Sequence, residues 1–169
     1  TIIDFYGIRQ CMYVKIVTPA EIKSILSNEV QIHRFPMICY ERIDLRISGK
    51  TPAQIMDDAK AMAYDANWMV FIHGEKIIGL ACVKIYYEKK IAKGMEFEVA
   101  VDAKGNGFSN QMLQYIFKFA LKNACIYLVL TAFDNSAYSY WKHQGFSDSD
   151  TSDDRCKNLF IRIPGSIMA

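Results

Sequence analysis

The stretch VDAKGNGFSNQML, residues 101–113, ends an alternating apolar run on Gly105 and Gly107, places Ser109 two residues later and enters a helical pattern at once. Glycines let the main chain take left-handed angles and let a ligand come close to it, and a small serine keeps that access open. Free N–H groups at a helix start, reinforced by the positive end of the helix dipole, suit an anion and a phosphate above all. The same two glycines would also serve a plain tight turn. The loop lacks the Gly-Lys-Ser/Thr ending of a nucleotide triphosphate loop, and no βαβ unit with an acid on its second strand marks a dinucleotide site. Just upstream, GMEFEVAV (94–101) alternates, with Met95, Phe97, Val99 and Val101 on one side and Glu96, Glu98 and Ala100 on the other. Two carboxylates on one strand face can serve as a general base. They can equally be solvated outward residues.

Other reactive side chains form no comparable group. Cys11, Cys39, Cys82, Cys125 and Cys156 make no CxxC pair, so reduced intracellular thiols and a cytoplasmic setting are expected. Cys82 and Cys125 lie in apolar runs with no histidine at recognisable spacing, which favours core thiols over acyl carriers. His33, His73 and His143 are single and scattered, so no metal site is expected. The basic EKKIAK (88–93) and acidic DSDTSDD (148–154) runs suit solvated loops. The acidic run would also attract a cationic amine. With a net charge of +2, no nucleic-acid or anionic-membrane partner is expected, and no apolar run reaches the length of a membrane span. TIIDFYGIRQ has no basic start followed by an apolar stretch, so no signal peptide is expected.

Alternation and capping residues place these groups on elements. MYVKIV (12–17) is a strand, and Thr18, Pro19 and Glu21 open a helix. Residues 29–50 carry little pattern beyond Pro36 and Gly49. Thr51-Pro52 opens a second helix, and two apolar runs around His73-Gly74-Glu75 form a hairpin. Past the glycines, Met112, Leu113, Ile116, Phe117 and Ala120 form one helical stripe. CIYLVLTAF is a buried strand. DNSAYSYWKHQGF is a helix opened by Asp134 or Asn135 and closed at Gly145, and NLFIRIP is a last strand. The 169 residues, 51% hydrophobic and 22% charged, suit one mixed α/β domain over 1–169 with a mostly antiparallel sheet.

From Lys104 onward the chain resembles the GNAT superfamily of coenzyme A-dependent N-acetyltransferases, and within it the coactivator histone acetyltransferases. The family's phosphate loop runs Gln/Arg-x-x-Gly-x-Gly/Ala. Lys104 stands at its first position, Gly107 at its first glycine and Ser109 at its second small residue. Leu130-Thr131 matches the next strand. Ala137, Tyr140, Lys142, Gln144, Gly145 and Phe146 match the segment that closes the site. The match covers about a quarter of the chain. Upstream of residue 94 only the order of elements is similar.

The resemblance implies a GNAT acyl-CoA fold and acetyl-CoA as cosubstrate. It places the pyrophosphate on the amides of Gly105, Asn106, Gly107, Phe108, Ser109 and Asn110, with Lys104 leading in. Val99, Ala100 and Val101 would pair with the pantetheine arm, and one of their amides would hold the thioester oxygen as charge develops. Asn135, Ala137 and Tyr140 would line the arm's path, Asn135 being equally a helix cap. An amine, either a small molecule or a protein lysine, would attack the thioester directly, with Glu96 or Glu98 as base. The sequence departs from the family twice. Met95 stands at the usual glutamate position, and Trp141, which cannot give up a proton, stands where many members place a tyrosine acid. A catalytically weak CoA-binding or protein-interaction domain is the alternative, and a homodimer is left open.

Overall fold

A computed structural model of the chain describes residues 11–38, 66–150 and 157–167. The expected helix beginning at Thr51 lies outside these residues up to its last two positions. The fold divides into two units, 1–82 with 96–112, and 83–95 with 113–169.

In the first unit, β1 (Met12–Val17) pairs antiparallel with β2 (Ala66–His73), from Met12 opposite His73 to Val17 opposite Trp68. The chain then turns sharply, because Thr18 and Glu21 satisfy each other. Thr18 Oγ1 accepts the Glu21 N–H at 3.2 Å and Glu21 Oε2 accepts the Thr18 N–H at 2.8 Å. This capping box starts α1 (Pro19–Ser27) at the expected place. Asn28 ends α1 and begins α2 (Glu29–Arg34), its side chain accepting the Val30 N–H at 3.0 Å. Helix α2 falls in a stretch without pattern, and six residues are too few to show a period. Residues 36–38 are helical again, with Phe35 and Ile38 buried.

Strands β2 and β3 (Lys76–Tyr86) form the expected hairpin around Gly74, and β4 (Ile91–Val99) follows β3. Trp68, Met69, Val70 and Phe71 are buried in succession, as in a strand covered on both faces. A three-residue 3-10 turn, Val101–Ala103, separates β4 from the glycine loop.

The second unit is built on β5 (Tyr127–Ala132) and β7 (Lys157–Arg162), antiparallel from Tyr127 opposite Arg162 to Ala132 opposite Lys157. Leu128, Leu130 and Leu159 are buried on one face of the pair. The short β6 (Ser147–Asp148) borders β7. Helix α3 (Phe108–Lys122), which belongs to the first unit as far as Met112 and to the second from Leu113, buries its whole expected stripe, Met112, Leu113, Ile116, Phe117 and Ala120. Helix α4 (Asn135–His143) is capped by Asp134, whose carboxylate accepts the Ala137 N–H at 2.7 Å. Asn135 is therefore the first helical residue and not the cap.

The strands follow the order β1-β2-β3-β4-β5-β7-β6 in one seven-stranded sheet. It is mostly antiparallel and flanked by helices, as expected. Strand β4 runs parallel to β5, with Ile91 beside Tyr127 and Lys93 beside Val129.

Candidate functional site

The glycine loop lies in the first unit. Gly105 and Gly107 have φ of +81° and +75°, and a Cβ on either would meet nothing within 4 Å. The glycines are thus demanded by backbone angle, and the space above them is open. Asn106 braces the loop by donating from Nδ2 to the carbonyls of Ala103 at 3.1 Å and Lys104 at 3.4 Å. Lys104, Gly105, Asn106, Gly107 and Asn110 are exposed; Phe108 and Ser109 are half-buried. Helix α3 begins at Phe108. Its first amides have no carbonyl one turn back to donate to, so the loop and helix start together form a nest of N–H groups able to take an anion. The Phe108 ring rests 5.2 Å from that of His73. At Gly79 of β3, Met112 Sδ occupies the place a side chain would need. The absence of a side chain there lets α3 lie close on the strand.

The strand before the loop sorts its own groups. The Ala100 N–H donates to Ile78 O at 2.9 Å, and Ala100 O accepts from the Ala103 N–H at 2.9 Å. Amides alternate in direction along a strand, so that of Val99 points away from β3. Val101 is 44% exposed and Ala100 fully buried.

The two glutamates differ. Glu98 is buried, with 7% exposure. Its Oε1 accepts the Met37 N–H at 3.0 Å and its Oε2 the Ile38 N–H at 2.8 Å. It therefore caps the helical turn at 36–38 and is no solvated outward residue. Glu96 is half-buried, and Met95, at the family's usual glutamate position, is 40% exposed.

A second carboxylate ties the same segment to the loop. Arg34 Nε donates to both oxygens of Asp102 at 3.1 and 3.2 Å, Nη1 to Gln31 Oε1 at 2.9 Å and Nη2 to Ile77 O at 2.6 Å. The Arg34 guanidinium, helped by Lys76, holds the Asp102 carboxyl down to about 2. Neither Arg34 nor Asp102 stands out in the sequence. They lie 68 positions apart, and no local pattern links them.

Asn135, Ala137 and Tyr140 belong to the second unit. Asn135 is exposed and Ala137 half-buried. The Tyr140 hydroxyl is buried with no hydrogen-bond partner among the described residues. The ring of Trp141 packs edge-on against Tyr140 at 4.8 Å and Phe146 at 5.2 Å, so Trp141 serves as packing. Asp148 accepts from Lys142 Nζ at 2.8 Å and from the Tyr138 hydroxyl at 3.2 Å. Hydrogen bonds to Asp148 raise both partners' pKa and lower its own. Cys82 and Cys125 are buried and form no disulfide among the described residues, and burial pushes the Cys125 thiol up. Among the described residues, no three His, Cys, Asp or Glu gather to hold a metal, and no helix is long and apolar enough to cross a membrane.

Comparison with known proteins identifies the family and the fold. The sequence model described as Acetyltransferase (GNAT) family matches residues 32–146. No curated protein matches the chain. Among solved structures it is similar to the PaiA N-acetyltransferase of Thermoplasma acidophilum in complex with coenzyme A, with TM-score 0.66 and 12% identity over 90% of this chain and 99% of that one. The spermidine N-acetyltransferase of Vibrio cholerae, in complex with CoA and spermine, gives 0.60 and 14% over 90% and 95%. Tetrahymena GCN5 gives 0.58 and 21% over 76% and 90%. At these identities the likeness is one of fold.

Proposed function

Because this chain belongs to the acetyltransferase (GNAT) family, we propose that it moves an acetyl group from acetyl-CoA to a primary amine by direct attack on the thioester. The observation that carries this reading is the loop before α3, with two left-handed glycines under space left open by the described residues and a helix start whose first amides precede the helix's own carbonyls. Such a nest fits a pyrophosphate without any side-chain charge. The residues 104–110 would hold it. Of the three residues that lead into the loop, Val99 has its amide turned away from β3 and would meet the pantetheine arm together with Val101, one of the two amides polarising the thioester carbonyl. Ala100 would contribute its buried position. The family resemblance further assigns Asn135, Ala137 and Tyr140 to the arm's path, and the Tyr140 hydroxyl has no hydrogen-bond partner among the described residues.

An alkylamine is mostly protonated at neutral pH, so attack needs a base. We assign that role to Glu96, because both oxygens of Glu98 already accept backbone amides. The thiolate of CoA, with a pKa near that of free cysteine at about 8.5, can leave without the tyrosine acid that Trp141 replaces. The acceptor is a small amine or a protein lysine. We take residues 1–169 as one catalytic domain, since β3, β4 and α3 each run unbroken through both units. Buried cysteines without a disulfide among the described residues suit a reducing, cytoplasmic setting.

The test is thiol release from acetyl-CoA against a panel of polyamines, amino sugars and lysine peptides. Release that depends on one amine class supports transfer. Tight CoA binding with no release above the uncatalysed rate for any amine would favour a domain that binds without turnover.

A further inference from the structure

The second unit carries a hollow of about 470 Å³ on one face of its strands. Register builds its floor. Lys93 lies beside Val129, Val129 beside Phe160 and Thr131 beside Asn158, and paired residues share a face. These positions alternate with Ala92, Leu128, Leu130 and Leu159, all buried, with Leu130 and Leu159 also bordering the hollow. The hollow's residues are therefore held outward, since a one-residue slip would expose that core.

The lining is apolar in the middle and polar at its margins. Val129 pairs with Phe160, whose ring stands 6.1 Å from that of Tyr127 in edge contact. Thr131 Oγ1 donates to Asn158 Oδ1 at 2.8 Å on one side. Lys93 stands on the other and has no ion-pair partner among the described residues. The volume is that of a small-molecule site, which typically runs from about 300 to 1,000 Å³ and combines apolar walls with a few polar groups. One cation beside aromatic edges favours a single negative charge on an apolar body. A dianionic phosphate would leave one charge uncompensated, and a cationic amine would be repelled.

We propose that this hollow is a binding site for a small carboxylate with an aromatic or branched apolar body, its carboxylate seated on Lys93. The proposal stands independently of the transfer reaction.

The experiment titrates the full chain with 3-phenylpropionate, 3-phenylpropanamide, 3-phenylpropylamine and phenyl phosphate, following backbone amide shifts by NMR. The carboxylate is expected to move amides of 127–131 and 157–160 and to bind roughly tenfold more tightly than the neutral amide, as one charge-assisted contact should give. Lys93→Met, at a half-exposed position the core does not need, should abolish that preference and leave the spectrum otherwise folded. Val129→Trp should fill the hollow and block the carboxylate. If Val129→Trp does not fold, the Lys93→Met comparison decides alone. No binding, shifts confined to other regions, equal or tighter binding of the amine or the phosphate, or an undiminished preference in Lys93→Met would each overturn the proposal.

Discussion

Glu98 and Ile38, 60 positions apart, are joined by a hydrogen bond of 2.8 Å from the Ile38 amide to the Glu98 carboxylate, in a buried setting. The neighbouring Met37 amide fills the other oxygen at 3.0 Å. A glutamine there would accept one amide but turn its NH2 group on the other. Glu98→Gln is expected to lower stability by about 2 kcal/mol, the worth of a charged hydrogen bond left unmade. Urea unfolding of the variant measures this, and an unchanged midpoint would show that the clamp contributes nothing.

Glu96→Gln should behave oppositely. Fold and CoA affinity should persist, while turnover at neutral pH falls roughly a hundredfold, the usual worth of a positioned base. The deficit should shrink as the assay moves from about pH 6 to 10, because the acceptor then supplies its own free amine. A parent-like pH profile in this variant would assign proton removal to water or to the acceptor.

Gly107, with φ of +75°, tolerates no β-branched residue without strain. Gly107→Val should keep a folded spectrum and lose CoA binding by calorimetry. Parent-like affinity would remove the loop from the site.

Asp102 links acidity to stability. Its folded pKa of about 2 lies below the ordinary value of 3.8, held down by the Arg34 guanidinium. The sign is that of a depressed carboxylate: the contribution is fully present above the unfolded value and is lost as pH falls toward 2. The side chain is 40% exposed, so solvent screening keeps the effect modest. Asp102→Asn should flatten the loss of stability between pH 4 and 2, as measured by thermal unfolding across that range. An equally steep loss in the variant would place the acid-sensitive group elsewhere.

At the start of α4 two adjacent residues are separable. Asp134→Ala removes the cap and should cost about 1 kcal/mol of stability. Asn135→Ala should leave stability unchanged and weaken CoA binding. If stability falls with Asn135→Ala and CoA affinity does not, Asn135 is structural.

The sequence by itself determined the features that neighbours in the chain decide. The alternation through Val99, the capping box of Thr18 and Glu21, the buried stripe from Met112 to Ala120 and the glycine loop all depend on residues a few positions apart. At that range, strand and helix periods and capping chemistry act directly. Tertiary structure alone decided which glutamate is clamped, since Glu96 and Glu98 look alike on their strand until residues 36–38 arrive to donate their amides. It likewise decided that Ala100 gives its amide to Ile78 and that Arg34 meets Asp102. A short helix such as α2 leaves no period to read, and a hydrogen bond across sixty or more positions leaves no trace in local spacing. Those contacts exist only because burying the apolar faces of distant segments brings them within reach.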